Sequence, residues 1–237
     1  MPRARTIPLV AFYTGLVTVS TLIFTVYVPA TRGYFNIGES AVYLVALLAG
    51  PYVGAFAGGV GSMLADLSLG YLFFAPATLV IKGIEGGILG ALSRRIPVLS
   101  ERSWRILSFC VAFLLSTSIF LIGRGYYVGS SEFSIGLPGM ISTINIPLTE
   151  AFWGAVATLS FVTLVLVSFM VRPEVGWLLL SCAISGSVMV LGYYLYEQFV
   201  LGFVAIAEVP FNIGQVLVGT IVAVPAYNSL KALRPTK

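Results

Sequence analysis

The stretch Ser40–Gly70, SAVYLVALLAGPYVGAFAGGVGSMLADLSLG, decides the fold. It is apolar and longer than the roughly 20 residues that one membrane-spanning helix needs. Gly50-Pro51 sits in its middle. Proline inside a helix removes a hydrogen bond and clashes with the preceding turn. The stretch therefore reads as two passes, the first one short.

The rest of the chain agrees with a membrane reading. Of 237 residues, 58% are hydrophobic and only 9% charged, and the mean hydropathy is +1.00. Soluble domains carry about a quarter charged residues, so a soluble domain with a large core is excluded. The other spans read as Ile7–Val28, Pro76–Leu92, Ile106–Ile122, Ala151–Val171, Trp177–Phe199 and Pro210–Leu230. The basic start Met1–Arg5 runs into an apolar stretch of full span length, so no cleavable signal peptide is expected.

Charge sets the orientation, because Lys and Arg concentrate on the cytoplasmic side. With eight passes, the inside segments hold ten of the thirteen basic residues, and both termini face the cytoplasm of a prokaryotic cell membrane. Arg32 and Arg124 fall outside, and Lys82 lies within a span. A single pass over Ser40–Gly70 would put Arg94-Arg95 outside, against the rule.

Charges in lipid are expensive, at about 2.5–3.5 kcal/mol each at mid-membrane, and need partners or water. Asp66, Lys82 and Glu85 nevertheless lie close together in apolar sequence. Asp66 falls about one turn below the outer end of its helix, and Lys82 about 9 Å below the outer end of the next. Glu85 shares a face with Lys82 by i, i+3 spacing. These three make a candidate charge cluster. Asn212 and Gln215, at i and i+3, sit near the outer end of the last helix, with Gly219 further along the same face. Tyr193 and Glu197 are an i, i+4 pair near the outer end of the helix before it, and Tyr193 is the aromatic best placed to stack on a ligand. The loop TRGYFNIGES adds Arg32, Tyr34, Asn36 and Glu39. Such groups also glue helices together, and aromatics such as Tyr71, Phe73, Phe74, Tyr126, Tyr127, Tyr194 and Tyr196 also form interface belts. The set gathers at one depth on one side, which points to a binding pocket open to the outside.

Small residues every four positions, Gly54–Gly58–Ser62–Asp66 and Lys82–Gly86–Gly90, let helices approach closely and turn the charges toward protein. A second row, Gly83–Gly87–Ala91, does the same. Ala11 and Gly15 in the first helix offer another small pair, for packing within the chain or for docking another membrane protein.

The chain carries no phosphate loop of the G-x-x-x-x-G-K-[ST] type. It has no histidine, hence neither a Cys/His metal site nor a histidine-activated nucleophile. Cys110 and Cys182 lie in apolar runs and suggest no disulfide framework. No enzyme activity, metal, cofactor or nucleic-acid partner is expected.

The run FNIGES…LLAGPYVGAFAGGVGSMLADLSLGYLFFAPATLVIKGIEG, and above all APATLVIKGIEG (Ala75–Gly86), resembles the substrate-binding S components of energy-coupling-factor (ECF) vitamin transporters of the riboflavin type. The later GYYLYEQ…EVPFNIGQVLVG resembles their final two helices. The resemblance implies an all-α, polytopic membrane protein with a six-helix core. It would bind a water-soluble vitamin or precursor of the riboflavin, pyridoxine or hydroxymethylpyrimidine class from outside. It would dock on a transmembrane coupling protein carrying two ATPase subunits. Transferred to this chain, the loop Arg32–Glu39 would cap the pocket, and Ala11 and Gly15 would meet the coupling protein. Residues 97–176 depart from that plan as an inserted helical pair with a polar outer loop, between core segments 1–96 and 177–237. Two other classes remain: a stand-alone secondary carrier with Asp66 and Glu85 as proton relays, and a non-transporting membrane scaffold.

Overall fold

A computed structural model describes residues 3–28, 33–95, 100–126, 128–137, 140–202 and 205–233. Arg32 and Tyr127 lie outside the described residues. In chain order the elements are α1 (Arg3–Ile23), β1 (Thr25–Val28), β2 (Gly33–Asn36), α2 (Glu39–Ala49), α3 (Pro51–Leu69), α4 (Ala75–Leu92), α5 (Glu101–Tyr126), β3 (Gly129–Leu137), β4 (Met140–Leu148), α6 (Glu150–Met170), α7 (Pro173–Tyr196) and α8 (Val209–Ala232). Helices α3 to α8 are long and apolar enough to cross a membrane, while Ile7–Ile23 and Glu39–Ala49 are shorter apolar stretches.

Ser40–Gly70 does break into two helices at Gly50-Pro51, the first of them short at 11 residues. Gly50 ends α2 with φ of +87°, in the left-handed region, and Pro51 opens α3. Glycine takes that φ without steric penalty, and proline is preorganised for a first helical turn. Gly70 ends α3 in the same region: its N–H bonds Leu67 O and the next N–H, of Tyr71, bonds Asp66 O. This pairing satisfies the orphan carbonyls of the last turn and reverses the chain sharply into α4.

The chain forms two compact units, Met1–Pro97 with Trp177–Lys237, and Val98–Gly176. In the first, α3 packs along α4, α1 along α3, and α2 against α3, α4 and α8. Small residues make the α3–α4 contact close: a Cβ on Gly54 would stand 2.7 Å from the Gly86 carbonyl oxygen. Gly54→Val is therefore expected to wedge the pair apart at a cost of about 1–3 kcal/mol, read as a lower unfolding temperature in detergent. Helix α1 turns Thr14, Val17 and Thr21 inward, and Thr18 Oγ1 donates to Gly61 O at 2.9 Å. Ala77, Ile81 and Met189 form an apolar cluster joining α4 and α7, with Val216 of α8 against it.

The first helix stops at Ile23, not Val28: Thr25–Val28 pairs antiparallel with Gly33–Asn36. The β-branched run Thr25-Val26-Tyr27-Val28 favours that strand. In the second unit α5 packs along α6, with Trp104 Nε1 donating to Ser168 O at 3.1 Å. The outer loop expected there is instead an antiparallel hairpin of two nine-residue strands, Gly129–Leu137 with Met140–Leu148.

Candidate functional site

A cavity lies in the first unit at the end of the bundle that carries the β1–β2 hairpin. It holds about 470 Å³ of atom-free space, its mouth included. Elements β2, α2, α3, α4, α7 and α8 all contribute to its wall.

Its floor is ionic. Lys82 pairs with Glu39 across the bundle and with Glu85 at 3.1 Å one turn along α4. All three are buried. Glu39 opens α2, and α8 presses against it where Gly219 leaves room: a Cβ there would lie 2.7 Å from Glu39 Cγ. Glu85 sits behind Lys82, outside the cavity wall, and the Tyr43 hydroxyl donates to it at 3.2 Å.

One side is built around Asp66. The Tyr34 hydroxyl donates to its Oδ1 at 2.6 Å, and Tyr34 stacks on Tyr71 with ring centres 4.5 Å apart. Burial, and next the charge of Asp66, push the Tyr34 hydroxyl well above its ordinary pKa, so it remains a donor. A phenol whose folded pKa is raised keeps its full stabilising effect below the unfolded value near 10 and loses it as pH rises beyond. Tyr34→Phe is thus expected to cost about 1–3 kcal/mol at neutral pH by stranding the carboxylate oxygen. It should also flatten the stability loss above pH 10 by about 1.4 kcal/mol per pH unit relative to wild type, measured as unfolding free energy against pH.

Another part of the wall is amide and aromatic. Gln215 Nε2 donates to Asn212 Oδ1 at 3.2 Å. The Tyr193 hydroxyl donates to Thr78 Oγ1 at 3.0 Å, and Lys82 Nζ stands 5.9 Å from the centre of its ring. Asn36 accepts from the Gly38 N–H at 2.9 Å, fixing the turn between β2 and α2.

The family model described as ECF-type riboflavin transporter, S component, matches residues 2–167. The chain belongs to that family. Its members are transporter subunits, not enzymes. The match stops within α6, before the helices that carry Tyr193, Asn212 and Gln215. A Pyrococcus woesei protein described as "Uncharacterized protein in gap 3'region" is 54% identical over 78 residues, 33% of this chain. The chain spans about half, 52%, of the length of that curated relative.

In this S component Asn36, Glu39, Asp66, Lys82, Tyr193, Asn212 and Gln215 line one cavity. Of the expected Asp66–Lys82–Glu85 charge cluster, Lys82 and Glu85 do pair; Glu39 is the second partner of Lys82, and Asp66 is bonded by Tyr34 instead of pairing with Lys82. Glu197 is fully buried but is not part of the wall. It begins a π-helical turn, Glu197–Leu201, that carries it beside Glu208. Ala11 and Gly15 lie elsewhere, exposed on α1. Sequence reasoning missed Thr21, Ser62, Thr78 and Glu208 as wall residues. Spacing could have found three of them, since Ser62 precedes Asp66, Thr78 precedes Lys82 and Glu208 precedes Asn212, each by four.

Proposed function

We propose that this S component captures a water-soluble vitamin or vitamin precursor in the cavity and hands it to an ECF module, a transmembrane coupling protein with two ATPase subunits. The observation that carries the reading is the convergence of Glu39, Asp66, Lys82, Asn212 and Gln215, from four helices, on one cavity. Apolar pockets with a few convergent polar groups are the usual form of small-molecule sites. The bias of Lys and Arg toward the opposite end supports an orientation in which the cavity opens outward and both termini are cytoplasmic. On this reading residues 97–176 are an added helical pair. Two added passes leave the orientation of the following helices unchanged.

Native mass spectrometry of protein purified from cells tests capture: a bound small molecule is expected, and its absence, together with no stabilisation by any vitamin, overturns the reading. Uptake in whole cells separates a coupled importer from a secondary carrier. Deleting the ATPase subunits should abolish it, whereas an uncoupler should leave it.

A further inference from the structure

Among the described residues the cavity wall carries more acidic than basic side chains. Glu39, Asp66 and Glu208 bring three carboxylates to it, against one cation among the described wall residues, Lys82. That cation is already engaged by Glu39 and Glu85, so it is poorly placed to receive an anionic ligand. Asp66 Oδ2 and Glu39 Oε1 are buried without a well-formed hydrogen bond among the described residues, with Thr78 beside the Asp66 carboxyl and Glu85 beside that of Glu39, and their residues are only 3% and 1% exposed. Buried polar atoms are nearly always bonded in folded proteins, so each unpaired one needs an explanation. A ligand that supplies donors is such an explanation. Tyr34, Phe74 and Tyr193 add aromatic rings to the same wall, and ring faces attract cations.

Resting on the capture reading above, we propose that the ligand is an amino-bearing nitrogen heterocycle bound as a cation, and that phosphorylated forms are rejected. Its ring lies among the aromatic side chains, and its charged N–H groups face Asp66 and Glu39. A phosphate or carboxylate on the ligand would meet three carboxylates and no free ammonium.

The test measures thermal stabilisation and calorimetric binding of the purified protein in detergent at pH 7. The probes are thiamine, pyridoxamine, 4-amino-5-hydroxymethyl-2-methylpyrimidine, riboflavin and riboflavin 5′-phosphate. At least one amino-bearing probe is expected to bind about tenfold or more tightly than either flavin, and Asp66→Asn to weaken that probe about tenfold or more, since it removes a charge-assisted bond. If Asp66→Asn does not fold, the wild-type ranking decides alone. A flavin binding most tightly, or an Asp66→Asn protein that holds the amino probe as well as wild type does, overturns the proposal and leaves capture intact. If no probe binds, the mass of the co-purifying molecule decides: an amino heterocycle supports the proposal, and a neutral or anionic compound refutes it. Nothing bound by any measure ends both readings.

Discussion

Lys82→Met is expected to be the most destabilising single substitution in the core of the first unit. It strands Glu39 and Glu85, both buried and both paired to this ammonium. Removing one partner of a buried ion pair costs about 3–5 kcal/mol, because the remaining charge stays buried without compensation. Here one cation serves two carboxylates, so the upper half of that range applies. The same principle predicts the rescue. Replacing a whole buried ionic group by neutral residues of similar volume is often close to neutral. Glu39→Gln and Glu85→Gln added to Lys82→Met should therefore recover most of the loss. Unfolding of the purified protein in detergent, followed by tryptophan fluorescence, measures both. A Lys82→Met protein as stable as wild type would show that the triad is not what holds α2 against α4. A triple variant no better than the single one would show that the loss comes from packing of the lysine stem and not from charge.

The triad also shows which features the sequence makes legible. The helix break is legible because Gly50-Pro51 interrupts a run too long for one helix, and because backbone chemistry at that dipeptide is local. Depth is legible too: a rise of about 1.5 Å per residue places Asp66 and Lys82 near one level. The direction of a side chain around its helix is much less so. Glu39 reaches Lys82 because Gly219 lets α8 press on α2, a contact between residues 180 positions apart. Tyr193 and Glu197 fail to share the wall for a different reason. The helix is regular through Tyr196, so the i, i+4 spacing itself holds; Glu197 lies one turn further along, where the π-helical turn starts, and meets Glu208 instead of the wall. The two hairpins are hidden from hydropathy alone, which does not separate an apolar strand from the end of an apolar helix.

Gly15→Leu is expected to leave the fold and the cavity unchanged and to cut ATP-driven uptake at least about tenfold, the effect of about 1.4 kcal/mol of lost docking energy. The structural half of this follows from the surroundings of Gly15. A Cβ there meets nothing within 4 Å, and Ala11, one turn earlier, is also exposed. The face of α1 that packs on α3 is the other one, with Thr14, Val17 and Thr21. Replacing an exposed helical glycine also gains up to about 1 kcal/mol of helix propensity, so stability should hold or rise slightly. The functional half rests on the physics of association in lipid. Helices there gain little from hydrophobic burial and associate through close backbone approach at small residues. Ile7 and Phe12, 75% and 64% exposed nearby, are suited to lipid, whereas Ala11 and Gly15 leave a shallow notch that a partner helix can enter. A leucine fills the notch, whereas Gly15→Ala keeps most of it and should retain most uptake. Ligand binding by the purified variant, measured beside uptake in cells, separates capture from docking. Uptake at the wild-type level in Gly15→Leu would remove α1 as the docking face. Loss of binding together with uptake would place the effect in the cavity instead.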